Sequence, residues 1–391
     1  MSSIVIVGGG PAGIAAAGVA GECSAEVTLL DDNPALGGQI WRGGDPDAVP
    51  WLERLHSDGV EIITSARVVS GDAAHHTLLV DQNGKAAEVV YSKLILATGA
   101  RELFLPFPGW TLPNVMGVGG LQALVKSGLP VEGKRIVVAG SGPLLLAVAA
   151  YLRKRGAVVP LIAEQAGSAA LALFALSLAV HPGKLWQAAR LQPFPSTRYL
   201  PGCWIEAAIG AGKVEGVRLR QGSKVWEEPC DYVANAYGFV PNRELADLLG
   251  AVGVNQIAGM GGVETALLEG QIAGYAAAGQ PGKAAKFHAP LCKANSFTRL
   301  LDQTFRLRDE LRNLAQPETI VCRCEDVTLA RLRTADSWRS AKLHERCGMG
   351  PCQGRICGPA VQFILGWEPK SVRPPLFPTR LENLIQETPA K

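Results

Sequence analysis

Ile4-Val-Ile-Val-Gly8-Gly9-Gly10-Pro11-Ala12-Gly13-Ile14 is the stretch that decides the fold. Four consecutive apolar residues predict a strand buried on both faces. Gly8, Gly10 and Gly13 then fit the spacing G-x-G-x-x-G, with Pro11 and Ala12 between them, and an Ala-rich helix follows from Ile14. The first glycine makes a tight turn, the second lets a pyrophosphate reach the backbone, and the third lets helix and strand pack closely. The helix N-terminus offers free N–H groups and a positive dipole end to phosphates. A second strand, Val27 to Leu30, ends at Asp31, about twenty residues downstream, where a carboxylate accepts ribose hydroxyls. Strand, glycines, helix, strand and acid in this order predict a dinucleotide site.

Beyond Asp31 come Gly37-Gly38-Gln39 and Arg42, and later the strand Leu94–Leu96 ends in Ala97-Thr98-Gly99. A Gly-Gly pair after the ribose acid and a strand ending in Ala-Thr-Gly resemble the flavoproteins with two dinucleotide-binding domains. The resemblance implies FAD held by Gly8, Gly10, Pro11, Ala12, Gly13, Asp31, Gly37, Gly38, Gln39, Arg42, Ala97, Thr98 and Gly99.

A second unit of the same design follows. Arg135 to Ala139 predicts a strand, then Gly140-Ser141-Gly142-Pro143-Leu144-Leu145, an apolar helix, and a strand ending at Glu164. Leu145 stands where the third glycine belongs. Two readings stay open here. Gly140, Gly142 and Glu164 hold NAD(P) or ATP, or the fold is kept with a weakened pocket, because fold alone does not establish function.

Tyr232 to Asn242 resembles the strand and loop by which such proteins re-enter the flavin domain. Gly259-Met260-Gly261-Gly262 and the residues to Ala266 resemble the last flavin-contacting helix, whose N-terminus stabilises negative charge on the ring. The Gly-Asp or Gly-Glu motif that precedes this helix in the superfamily is missing between Leu249 and Ala258. Several dozen expected residues have no counterpart, and no ribityl ligand is assigned.

Nine cysteines are present. Cys23, Cys203, Cys230 and Cys292 are scattered and read as small buried hydrophobes. Cys322, Cys324, Cys347, Cys352 and Cys357 crowd one stretch, which argues for a metal site over a disulfide frame. The spacing is C-x-C, a helical intermission, then C-x4-C. Thiolates select Fe–S or Zn. The motif Gly348-Met-Gly350-Pro-Cys352-Gln-Gly354 is similar to the bacterioferritin-associated-ferredoxin-like (BFD-like) [2Fe-2S] domain, over Ile320 to Pro359. That resemblance implies Cys322, Cys324, Cys352 and Cys357 as ligands. Cys347 is read as a bystander, with its replacement of Cys352 as the alternative; a Zn knot is the other alternative.

The whole order resembles one family: the alpha subunits of opine dehydrogenase, hydrogen cyanide synthase and D-hydroxyproline dehydrogenase. The expected fold is α/β, with two Rossmann-like domains, the second inserted in the first, and a small helical BFD-like domain. Expected boundaries are 1–111 with 230–290 for FAD, 112–229 for the insertion, 291–317 for a linker helix and 318–391 for the [2Fe-2S] domain and tail. The resemblance implies an FAD-containing beta subunit of D-amino-acid-oxidase type, a small third subunit in some members, and FMN between subunits. Oxidation of a C–N bond then belongs to the partner, and electrons pass through flavin and cluster in this chain.

No C-x-x-C or C-x4-C occurs in residues 1–290, so dithiol chemistry is not expected. None of the six histidines falls in a general-base motif, His75-His76 reads as a solvated turn, and no catalytic residue is assigned. A formal net charge of +3 gives no basis for binding nucleic acid. The sequence begins without a basic export signal, and its longest apolar run, Ala166 to Val180, is shorter than the ~20 residues of a membrane span. A cytoplasmic location is expected, with any membrane association made through partners. Two rival functions are a self-contained NAD(P)H-dependent flavin and iron–sulfur reductase, and a zinc-bearing interaction scaffold.

Overall fold

In the computed structural model, residues 3–56, 59–178, 196–250, 254–256, 261–369 and 372–385 are described. Gly259, Met260, Pro182-Gly183-Lys184 and, within the stretch from Leu249 to Ala258, residues 251–253, 257 and 258 lie outside them. The chain is α/β and divides into two compact units. One comprises 1–101, 241–298 and 371–391, the other 102–240 and 299–370.

In the first unit, Ser3–Val7 pairs in parallel with Glu26–Leu30 on one side and Lys93–Leu96 on the other. Val60–Ile63 and Val254–Gln256 complete a five-stranded parallel sheet. Apolar residues run without alternation through the central strand because both faces are covered. Ile4 and Ile6 face the helix Pro11–Gly21. Val5 faces a core shared with the antiparallel strands Ala66–Asp72, Thr77–Gln82 and Lys85–Val90. The C-terminal segment closes that side. Leu376 is buried there, its N–H donating to the Val69 carbonyl at 2.7 Å, and Asn383 Nδ2 donates to Asp81 Oδ2 at 3.0 Å.

The helix Gly262–Ala277 lies directly on Pro11–Gly21. A methyl group at Gly270 would overlap the Ala12 carbonyl, and one at Gly274 the Ala16 carbonyl. The two glycines, one turn apart, let the helix backbones touch.

The second unit repeats the plan. Arg198–Pro201, Leu161–Glu164, Ile136–Gly140, Tyr232–Ala236 and Val115–Met116 form its parallel sheet in that order. Helices Val118–Lys126 and Leu144–Lys154 cover one face. The antiparallel strands Cys203–Ile209, Gly216–Gln221 and Lys224–Pro229 cover the other. Cys203 and Cys230 are buried there, and their thiols are pushed up to about 12 by desolvation. The apolar run after Ala166 forms the ten-residue helix Ser168–Ser177. No helix among the described residues is long and apolar enough to cross a membrane.

A cysteine module follows within this unit. The strands Ile320–Cys322 and Val327–Thr328 pair, and the helices Trp338–Glu345 and Cys357–Leu365 pack around Cys322, Cys347 and Cys357. Trp110 Nε1 donates to the Ile320 carbonyl at 2.6 Å, and the Arg312 guanidinium stands 4.6 Å over the Phe363 ring.

The close helix approach yields a stability test. Gly274→Ala should cost about 1–3 kcal/mol through overpacking against backbone. Gly282→Ala, in a short helix where an added methyl meets nothing within 4 Å, should be neutral or mildly stabilising. Urea titration of the two variants checks the difference.

Candidate functional site: a glycine loop and a cluster of thiols

Gly8 turns the chain at φ +110°, a conformation that only glycine adopts without strain, and a side chain there would strike the Ala97 carbonyl. Any side chain at Gly13 would strike the Gly8 carbonyl, so the helix sits as close to the strand as its spacing predicted. Pro11 opens the helix, where its missing N–H costs nothing. A Cβ at Gly10 would meet only the Gly38 Cα, at 4.0 Å. That is the open backbone surface a pyrophosphate needs.

The second glycine pair is folded onto the first loop. Gly37 N–H donates to the Gly9 carbonyl at 2.8 Å, and a Cβ on Gly38 would lie 3.0 Å from the Gly10 Cα. Gln39 lies in the turn that follows, and Trp41, two residues on, is buried. Asp31 is buried at the end of its strand, accepting from Gly9 N–H and from Asn33 N–H and Nδ2 at 2.7 and 2.8 Å. Arg42 reaches this acid through Asn33, donating to its Oδ1 at 2.6 Å. Asn33 carries no motif signal of its own; only its place two residues beyond the acid marks it.

Thr98 and Gly99 are fixed by the returning chain. Thr98 Oγ1 donates to the Asn242 carbonyl at 2.7 Å, Asn242 Nδ2 to the Thr98 carbonyl at 2.9 Å, and Asn242 N–H to the Gly99 carbonyl at 2.9 Å. Gly261 and Gly262 open the helix Gly262–Ala277, and Thr265 Oγ1 donates back to the Gly261 carbonyl at 3.2 Å.

In the second unit, Gly140 has φ +133° beneath the Ala236 carbonyl. The Glu164 carboxylate is fully buried and accepts from Gly142 N–H and Ala166 N–H, both at 2.8 Å. Desolvation pushes its pKa up to about 7, against the pull of those two donors. Leu145, the residue in place of the third glycine, is buried in the core beneath the helix.

The cysteines converge. The sulfurs of Cys322, Cys347 and Cys357 all lie within 4.8 Å of one another, and all three residues are buried. Gly348 N–H donates to Cys322 Sγ at 3.5 Å. Hydrogen bonds from Cys347 and Cys357 hold the Cys322 thiol far below its ordinary range, while the same contact pushes Cys347 up to about 12 and Cys357 upward. Three adjacent buried thiols form a soft donor set suited to a thiophilic cation. Cys324 is exposed and Cys352 half-buried, and the two thiols interact with each other. The buried trio thus holds Cys347 with two of the expected ligands, Cys322 and Cys357, while Cys324 and Cys352 form a separate, more exposed pair. Trp338 explains two of the glycines: its ring stands 2.7 Å from a Cβ built on Gly348 and 3.0 Å from one on Gly354. Among the histidines, His75 is exposed and paired with Asp72 at 2.7 Å.

The family described as pyridine nucleotide-disulphide oxidoreductase matches residues 2–266, a span that holds both glycine loops. The chain belongs to that family. Members of the pyridine nucleotide-disulphide oxidoreductase family bind FAD, and the first glycine loop, with its open Gly10 backbone and buried Asp31, fits that cofactor. Hydrogen cyanide synthase subunit HcnB of Pseudomonas protegens is 29% identical over 90% of this chain and 89% of its own length. An opine oxidase subunit of Agrobacterium tumefaciens is 28% identical over 97% of this chain and 91% of its own. These relatives are of the kind the sequence resembles. The HcnB alignment runs over 425 positions against a chain of 391 residues, so that relative carries residues without a counterpart here. L-proline dehydrogenase from P. horikoshii shares the fold at TM-score 0.67 and 17% identity, over 98% of this chain and 79% of that one.

Glu164 gives the second unit a pH dependence. Its folded pKa is raised, so its contribution to stability is complete below the ordinary 4.5 and is lost as pH rises through about 7. Melting temperatures of the native chain should therefore fall relative to Glu164→Gln across that window. Parallel curves would show that the carboxyl does not titrate there.

Proposed function

We propose that this flavin oxidoreductase chain is the electron-transfer subunit of a heteromeric dehydrogenase that acts on an amine, of opine or amino-acid type. What carries the proposal is the meeting of three buried thiols in a chain whose first glycine loop fits FAD. Two-electron and one-electron carriers in one polypeptide suit a relay better than a site of substrate oxidation. The relatives' names support a partner, since hydrogen cyanide synthase HcnB and the opine oxidase chain are both named as subunits. The partner is proposed to be an FAD-containing subunit of D-amino-acid-oxidase type.

Bound in these places, FAD would supply hydride-equivalent acceptance and a [2Fe-2S] cluster single-electron steps. The chain's own residues do the holding. Gly10 leaves its backbone open to the pyrophosphate, Gly8 makes the turn, Gly13 lets the helix close on the strand, and Asp31 presents its carboxylate to the ribose. Cys322, Cys324, Cys352 and Cys357 are the proposed cluster ligands in the BFD-like module. Cys347 is the alternative to Cys352, because its sulfur lies beside those of Cys322 and Cys357. Gly348 N–H, aimed at Cys322, would tune the potential. The second Rossmann-like unit is proposed to be inserted in the first, since the chain leaves the flavin unit after Arg101 and returns at Pro241.

The test is anaerobic purification with metal analysis, flavin release and absorbance. Iron and inorganic sulfide in equal amounts, beside flavin, are expected. Cys357→Ser should remove the cluster bands and leave the flavin spectrum; Cys23→Ser should leave both. Cys352→Ser and Cys347→Ser decide the fourth ligand, since only the ligand's loss should bleach the bands. Zinc in place of iron would reject the proposal. A flavin-bearing second subunit in fixed ratio is expected to co-purify.

A further inference from the structure

The second glycine loop is crossed by the chain itself. The parallel strands of that sheet end at Gly140, Glu164 and Pro201, and in open α/β sheets a ligand binds outside such carboxyl ends. Here the segment from Phe305 to Arg308 lies over them. The Phe305 carbonyl accepts from Ser141 Oγ at 3.0 Å and from Gln165 Nε2 at 3.3 Å. The Arg306 carbonyl accepts from Gln165 Nε2 at 3.2 Å, and Arg308 N–H donates to Gln165 Oε1 at 3.2 Å. Gln165 Nε2 also donates to Ser141 Oγ at 2.9 Å.

Ser141 is the middle residue of the Gly-Ser-Gly loop, and Gln165 directly follows the acid Glu164. These are positions from which a nucleotide would be held, and both side chains are spent on the strap. Ser141 N–H donates to the Ala236 carbonyl and Gly142 N–H to Glu164, each at 2.8 Å, and a Cβ at Gly142 would meet nothing within 4 Å, so the strap takes the strand-end side of the crevice and leaves the Gly142 surface open. Gln165 is fully buried, so lifting the strap would strand a buried amide. Apolar and cationic contacts reinforce the seat. The Phe305 ring meets Phe174 edge-on at 5.4 Å, and the Arg308 guanidinium stands 5.2 Å over the Trp204 ring.

We propose that Phe305 to Arg308 is the resident occupant of the second nucleotide crevice, anchored by Ser141 and Gln165, and excludes adenine nucleotides while seated. The unit then serves as a cradle that fixes the entry to the cysteine module, which begins at Ile320. NADH has no route into the chain through this crevice. This occupancy is independent of the iron–sulfur proposal, because nucleotide binding is read without reference to cluster absorbance.

The experiment uses the full chain saturated with FAD, so that the first site is filled, and titrates ADP and NADH by calorimetry. The native chain should bind both only weakly. Phe305→Ala with Arg308→Ala loosens the strap while leaving Ser141, Gln165 and the glycines intact, and should bind ADP about tenfold more tightly than the native chain. Retained flavin absorbance and cooperative melting show that the double variant folds. Hydrogen exchange on the native chain is the second readout: the Arg308 amide should be protected, and ADP at high concentration should deprotect it. Tight ADP or NADH binding by the native chain with strap protection unchanged would overturn the proposal. Equal affinity of native chain and folded variant would overturn it too.

Discussion

The contact on which the structure depends is between backbone and backbone, where a strand gives way to a helix. At Gly8 the neighbouring Ala97 carbonyl fills the space a side chain would take, and at Gly140 the Ala236 carbonyl does the same. Each contact brings the adjacent parallel strand hard against the turn. The helix N-terminus then faces the crevice at the strand ends, which is where charge on a phosphate can be met. The Gly270 and Gly274 approach to Ala12 and Ala16 extends this from the other side, holding the first helix between sheet and helix. A cofactor cradle of this kind is a set of missing side chains.

The two units have one plan and different uses of it. In the first, Asp31 accepts from Gly9 and is steadied by Asn33 and Arg42, and the open Gly10 backbone stays available. In the second, Glu164 is sealed beneath the loop, and its neighbour Gln165 faces the chain's own carbonyls. The difference follows from single residues. A serine at the middle of the second loop and a glutamine after its acid supply donors that the strap's carbonyls accept.

Much of this was legible in the sequence because it rests on local rules. Glycine spacing, unbroken apolar strands and the acid about twenty residues on fix a Rossmann-type unit within one stretch of chain. The loop of Gly37 and Gly38 was legible too, and it folds onto Gly9 and Gly10. What escaped reading depends on contacts far apart in sequence. Ser141 meets Phe305 across 164 positions, and Trp110 meets Ile320 across 210. No periodicity encodes such pairs. The docking of the C-terminal segment onto Val69 and Asp81 is of the same kind. The gathering of cysteines was legible as a cluster, but the membership of Cys347 in the buried trio was not, since spacing does not say which way a thiol points.

The division of the chain has a genetic consequence. The polypeptide passes between its two units after residues 101, 240, 298 and 370, and both ends belong to the first. Neither unit is a contiguous stretch of gene. A recombination event with one breakpoint cannot donate either of them whole.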